Sequence, residues 1–166
     1  MIVKSIFDCN LYGTDEKNLE NKIDENLISY KIIELTNTDR SVLKKIYGLG
    51  LEGISVIIDS PERIKGVSKD VEFINDLIDY NCLFILNIDS LKGKNGTEAK
   101  KVAKKLIKNN IYNFVYTNNN SNRNVKSIID KCSELEGISI SSANSLYNGE
   151  QVDFHGRKIK KSFFGL

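Results

Sequence analysis

Short apolar runs alternate along this chain with segments in which apolar residues recur every third or fourth position. Strands are predicted at Ile2–Asp8, Tyr30–Leu35, Ile54–Asp59, Leu83–Ile88, Tyr112–Thr117 and Ile138–Ser141. Runs such as ISVIIDS and LFILNID are almost continuously apolar, as strands covered on both faces require. A first helix follows Thr14, a capping residue ahead of two acids, with Leu19, Ile23 and Leu27 in line. Val42, Leu43, Ile46 and Tyr47 mark a second, ending near Gly48 and Gly50. Ser68 opens a third, with Val71, Ile74, Leu77 and Ile78 inward, and Thr97 a fourth, with Ala99, Val102, Ala103, Leu106 and Ile107 on one face. Val125, Ile128, Ile129 and Cys132 give a fifth.

This alternation predicts an α/β fold, a mostly parallel sheet flanked by helices, with residues 1–166 as a single α/β domain. The tail SLYNGEQVDFHGRKIKK breaks the rhythm. Its Asn148–Gly149 pair is a hairpin turn signal and His155–Gly156 a second one, so a C-terminal β-hairpin appendage is predicted.

Composition narrows the function classes. Forty per cent apolar and 28 per cent charged residues describe a globular protein, and no apolar run is long enough to span a bilayer. The chain enters strand-like sequence at once, which reads as no signal peptide. A net charge of +2 gives no argument for nucleic acid. Seven lysines fall between Lys92 and Lys108 against Glu98 alone, but five of them lie opposite the apolar side of the fourth helix, as on any solvated face. Three cysteines without close spacing point to a reduced, cytoplasmic chain without disulfides. One histidine excludes a histidine-based metal cluster, and no tightly bound cofactor is expected. A homo-oligomer is compatible with all of this.

Ligands of open α/β sheets bind beyond the carboxyl ends of the strands. Those ends carry polar residues here: Cys9 and Asn10, Asp59 and Ser60, Asp89 and Ser90, Thr117 and Asn118. The segments VIIDSPERIKGVS and LNIDSLKGKNGT echo each other as strand, Asp–Ser, basic glycine loop and hydroxyl. Such loops receive phosphate through backbone N–H groups, and Lys92 and Lys94 sit where they would reach it. GKNGT lacks the spacing of a P-loop. Strand-end Asp, Ser and Gly also serve ordinary turns. Two readings stay open on these residues: magnesium-dependent phosphohydrolysis of a nucleoside triphosphate through Asp59 and Asp89, and a non-catalytic nucleotide-binding module.

Of the cysteines, Cys82 enters a central strand and Cys132 lies on a helix face, both positions of packing. Cys9 ends the first strand just before a helix start, where a thiolate is favoured and acyl groups are open to attack. With its strand ending in MIVKSIFDCN, the chain resembles the HcgF family, which serves synthesis of the iron-guanylylpyridinol (FeGP) cofactor of the single-iron hydrogenase of methanogens. The resemblance implies a thioester-forming transferase. Cys9 would take the acyl group of guanylylpyridinol adenylylated by a ubiquitin-activating-like partner, HcgE, and release AMP. Guanylylpyridinol would be both substrate and covalent adduct; the residues expected around it, Asn10, Thr14, Asp59, Ser60, Asp89, Ser90, Lys92, Lys94, Thr117 and Asn118, are read from their positions at the strand tips and not from a family motif.

Overall fold

The apolar runs at the middle of the chain pair into one sheet because each carries two buried faces. The computed structural model describes residues 1–4, 11–12, 28–116 and 122–161, the side chains of 122–124 excepted. Its strands are β1 (Ile2–Lys4), β2 (Ser29–Glu34), β3 (Ile54–Asp59), β4 (Leu83–Asn87) and β5 (Phe114–Tyr116). They lie side by side in chain order. β2 to β5 are parallel, and β1 runs antiparallel to β2 at the edge. The helices are α1 (Ser41–Leu51), α2 (Glu72–Asp79), the short α3 (Ile88–Leu91), α4 (Thr97–Lys108), α5 (Asn122–Ile129) and α6 (Ser133–Tyr147). The expected α/β fold with a mostly parallel sheet is what forms.

Side chains alternate across the sheet, so each strand feeds two apolar layers. Ile33, Val56, Ile58, Phe84, Leu86 and Val115 pack against Val42 and Ile46 of α1, Phe73, Ile74 and Leu77 of α2, and Val102, Ala103 and Leu106 of α4. On the other face Ile32, Ile57, Leu83, Ile85 and Phe114 meet Leu11, Leu146 of α6 and Val152. The α4 lysines stay on the outer side, Lys101, Lys104 and Lys108 exposed. Arg40 ties α1 to α2 by gripping Asp70 at 2.7 and 3.1 Å and Asp76 at 2.7 Å. Among the described residues no helix is long and apolar enough to cross a membrane.

Two sequence expectations change, and two others lie partly or wholly outside the described residues. β1 is described only as far as Lys4, and it is antiparallel. The third helix starts at Glu72, not Ser68. Ile138–Ser141 is not a strand but the middle of α6, whose buried stripe of Leu135, Ser139, Ser142, Ala143 and Leu146 has helical spacing. The first helix, after Thr14, lies outside the described residues.

The C-terminal hairpin does not form either. Asn148 closes α6, and Gly149 follows with φ +68°. The Gly149 N–H donates to the Leu146 carbonyl and the Glu150 N–H to that of Ser145, the Schellman pattern of a helix end. Residues 151–161 then run without regular structure past the amino ends of the strands. Asn113 Nδ2 donates to the Asp153 carbonyl, and Asn75 exchanges two hydrogen bonds with the backbone of Ile159 at 2.8 and 2.9 Å. Side-chain amides thus replace the backbone ladder a hairpin would have supplied. Gly156 marks the tightest point of this strap. A Cβ there would strike the Phe154 ring and approach the Asn110 carbonyl oxygen to 2.7 Å. Gly156→Ala is therefore expected to cost about 1–3 kcal/mol of stability, read as a lower urea midpoint at unchanged slope.

Candidate functional site at the carboxyl rim

Where the parallel strands end, alternation brings polar side chains onto one face. Glu34, Asp59, Asn87 and Tyr116 each stand two residues beyond Ile32, Ile57, Ile85 and Phe114, so they share the face of those apolar residues. Register sets Glu34 beside Asp59 and Asn87 beside Tyr116. Lys4 of β1 pairs with Ile32 and so points to the same face. Its Nζ lies 2.6 Å from Asp59 Oδ2 and 2.9 Å from Glu34 Oε2. Asp59 is only 2% exposed, and its second oxygen accepts the Ser60 hydroxyl at 2.7 Å. Ser60 holds a left-handed backbone, φ +50°, a conformation uncommon for a side-chain-bearing residue and found preferentially at functional sites.

Charges here answer one another. Burial alone would lower the Lys4 ammonium, but hydrogen bonds and charge from Asp59 and Glu34 outweigh it and hold it above its ordinary range. The Lys4 hydrogen bond holds the Glu34 carboxyl below the usual range. Tyr116 shares the site through a 3.4 Å contact from Asn87 Nδ2. Burial raises its hydroxyl, and the Asp59 charge adds to that.

Beneath the rim a carboxylate is folded inward. Pro61–Arg63 makes one 3₁₀ turn after Ser60 and carries Glu62 into the interior, 2% exposed. Glu62 accepts from Ser90 Oγ and Tyr112 OH, both at 2.8 Å, and from the Asn87 N–H at 3.2 Å. Asn87 Oδ1 in turn caps α3 by accepting the Asp89 N–H at 3.0 Å. Burial dominates over these donors and pushes the Glu62 carboxyl up to about 7. A cavity of about 230 Å³ opens beside it, lined by Arg63, Ser68, Asn95 and Glu98 among others.

Of the residues expected at the site, Asp59 and Ser60 stand in the Lys4 cluster. Ser90 belongs to the Glu62 network instead. Asp89 turns to the loop lysines: its buried Oδ1 has no well-aligned hydrogen bond but lies 3.2 Å from Lys94 Nζ and 3.7 Å from Lys92 Nζ. Asp59 and Asp89 thus serve different lysines rather than converging on one ion. Cys9, Asn10, Thr14, Thr117 and Asn118 lie outside the described residues. Burial pushes the Cys82 thiol up to about 12, which leaves it protonated and unreactive at neutral pH. Cys132 precedes α6 rather than facing inward on α5. Sequence reading missed Lys4, Glu34, Glu62, Tyr112 and Tyr116. Lys4 left one signal, a lone charge inside an apolar run.

Residues 13–141 match the model of a family described as capsular polysaccharide synthesis, CpsB/CapC. Among solved structures the chain is similar to one from the pair YwqE of Bacillus subtilis and CpsB of Streptococcus pneumoniae, described as unique metal-dependent tyrosine phosphatases. The TM-score is 0.69 at 21% identity, over 80% of this chain and 58% of that one. At that identity the likeness is one of fold, and the chain spans a little over half of its neighbour. No curated protein sequence matches.

These matches overturn the HcgF resemblance, and with it the thioester on Cys9, the guanylylpyridinol substrate, the HcgE partner and the FeGP pathway. The nucleoside-triphosphate and nucleotide-module alternatives fall with them. The resemblance rested on MIVKSIFDCN, of which the described structure contains only a three-residue edge strand, a feature many α/β folds accommodate.

A metal of the kind named for the neighbour needs several donors free to face one ion. Among the described residues no three His, Cys, Asp or Glu side chains converge in this way. The one histidine, His155, is exposed on the C-terminal strap. Glu34 and Asp59 share an ammonium, and Asp89 faces two. The described residues do not fit a metal.

The Glu62 environment carries a pH signature. Its folded-state value stands above the unfolded one, so the unfolded chain releases the proton first as pH rises. Stability from this group is complete below about pH 4.5, declines through the interval, and is lost above about pH 7, a span of about 3 kcal/mol. Thermal melts from pH 4.5 to 8 are expected to show that decline in the native chain and a flatter profile in Glu62→Gln.

Proposed function

We propose, from the premise that this chain belongs to the CpsB/CapC family, that it acts on phosphate monoesters at the carboxyl rim, phosphotyrosine in a polypeptide being the substrate class to test first. One observation carries the reading: within the family-matched span, Glu34, Asp59, Asn87 and Tyr116 end successive parallel strands on one face. That is where ligands of such sheets bind. The structural neighbour's description as a tyrosine phosphatase supports the substrate class.

In this reading Lys92, Lys94 and Arg63, from the loops after β4 and β3, meet the phosphate oxygens as cations. Lys94 and Arg63 are exposed and Lys92 half-buried, so all three are within reach of a ligand. Lys4 and Ser60 fix the Asp59 carboxyl at the rim, and the Tyr116 hydroxyl there supplies a proton donor. A second reading, recognition without turnover, is favoured by the lysine-paired carboxylates. The buried, unbridged Cys82 and the free Cys132 suit a cytoplasmic setting for either.

Phosphate release from phosphotyrosyl peptides, alongside polarisation binding of labelled phosphorylated and unphosphorylated peptides, tests both. Release that falls by roughly a hundredfold in Asp59→Asn supports the first reading. Selective binding without release, weakened in Lys94→Ala, supports the second. Neither release nor selective binding overturns the proposal.

A further inference from the structure

We infer that Lys4 is a resident cation: its ammonium sits between Glu34 and Asp59 where a divalent ion would bridge them, so this carboxylate pair is built to exclude metal. The single ammonium reaches one oxygen of each carboxylate, at 2.6 and 2.9 Å. Register brings the two carboxylates together, since Glu34 and Asp59 are paired neighbours on parallel strands. Left alone, two acids so placed, one of them buried, would repel each other and invite a cation.

The positive charge is supplied by the chain and its position is fixed by the sheet. Lys4 pairs with Ile32, two residues before Glu34, so its four-carbon stem runs along β2 toward the carboxyl end. Ser60 takes the remaining Asp59 oxygen, and among the described residues no further acidic or histidine side chain joins the pair to complete a coordination sphere. A divalent ion entering here would confront an ammonium at contact distance and would have to displace it. The same arrangement recurs more loosely at Asp89, flanked by Lys92 and Lys94. In both places a tethered amine, and not a free ion, meets the charge of a buried carboxylate at the rim.

The inference is independent of the substrate, because its readout is metal binding and not phosphate release. Manganese titrations followed by the electron paramagnetic resonance of free Mn²⁺ test it on the whole chain. The native protein and Asp59→Asn are expected to bind Mn²⁺ alike. Lys4→Gln is expected to bind Mn²⁺ more tightly than the native chain by roughly tenfold or more, the effect of removing one like charge. That gain should vanish in Lys4→Gln combined with Asp59→Asn. Mn²⁺ binding by the native chain that is lost in Asp59→Asn overturns the inference, as does a folded Lys4→Gln with no gain. If Lys4→Gln does not fold, the comparison of the native chain with Asp59→Asn decides alone.

Discussion

Asp59 ends a central strand with almost no surface in water, and a carboxylate in that position must be met by positive charge or give up its own. Lys4 meets it. That requirement ties β1, with its exposed Ile2 and Val3, to the buried end of a central strand. The ion pair adds a tether whose far end is buried, and Glu34 completes it from the strand between. Local pairing, charge and the polar face of the rim are therefore one device.

A second buried acid organises the loops beneath. The turn at Pro61–Arg63 and the start of α3 belong to different crossovers, yet Glu62 collects donors from Asn87, Ser90 and Tyr112 and binds them into one unit. All three groups donate to it, the pattern of an ionised carboxylate, whereas burial favours the neutral form. Protonation obliges one hydroxyl to reverse and accept. The rim loops after β3 and β4 are thus underlain by a group whose charge changes near neutral pH, and Asn87 connects that group to Tyr116.

Much of the architecture could be read from residues alone. The buried strands β3 and β4 and the amphipathic α4 announce themselves by continuous or helically spaced apolar residues, and Asp59 was visible as a polar strand end. The failures have physical causes. ISIS in α6 alternates like a strand, but the side chains buried there include serine and alanine, which a hydropathy reading passes over. Asn148–Gly149 suits a hairpin turn and a helix end equally well, because both need a left-handed glycine. Glu62 sits in a stretch that reads as a polar loop, and only the 3₁₀ turn carries it inside. Lys4 meets Asp59 across 55 residues, a pairing no local pattern contains. The family is not legible in a short motif: its likeness is spread over residues 13–141, and MIVKSIFDCN lies outside that span.

The account turns on the ammonium of Lys4 occupying the rim at neutral pH. Its direct measure is the ¹H–¹⁵N spectrum of the lysine ammonium groups, with Lys4 assigned by substitution, recorded while Mn²⁺ is added. A Lys4 signal slowed in exchange and persisting after the exposed groups have broadened is the predicted result. A Lys4 signal that exchanges freely with water, or is lost at the first addition of metal, would contradict it.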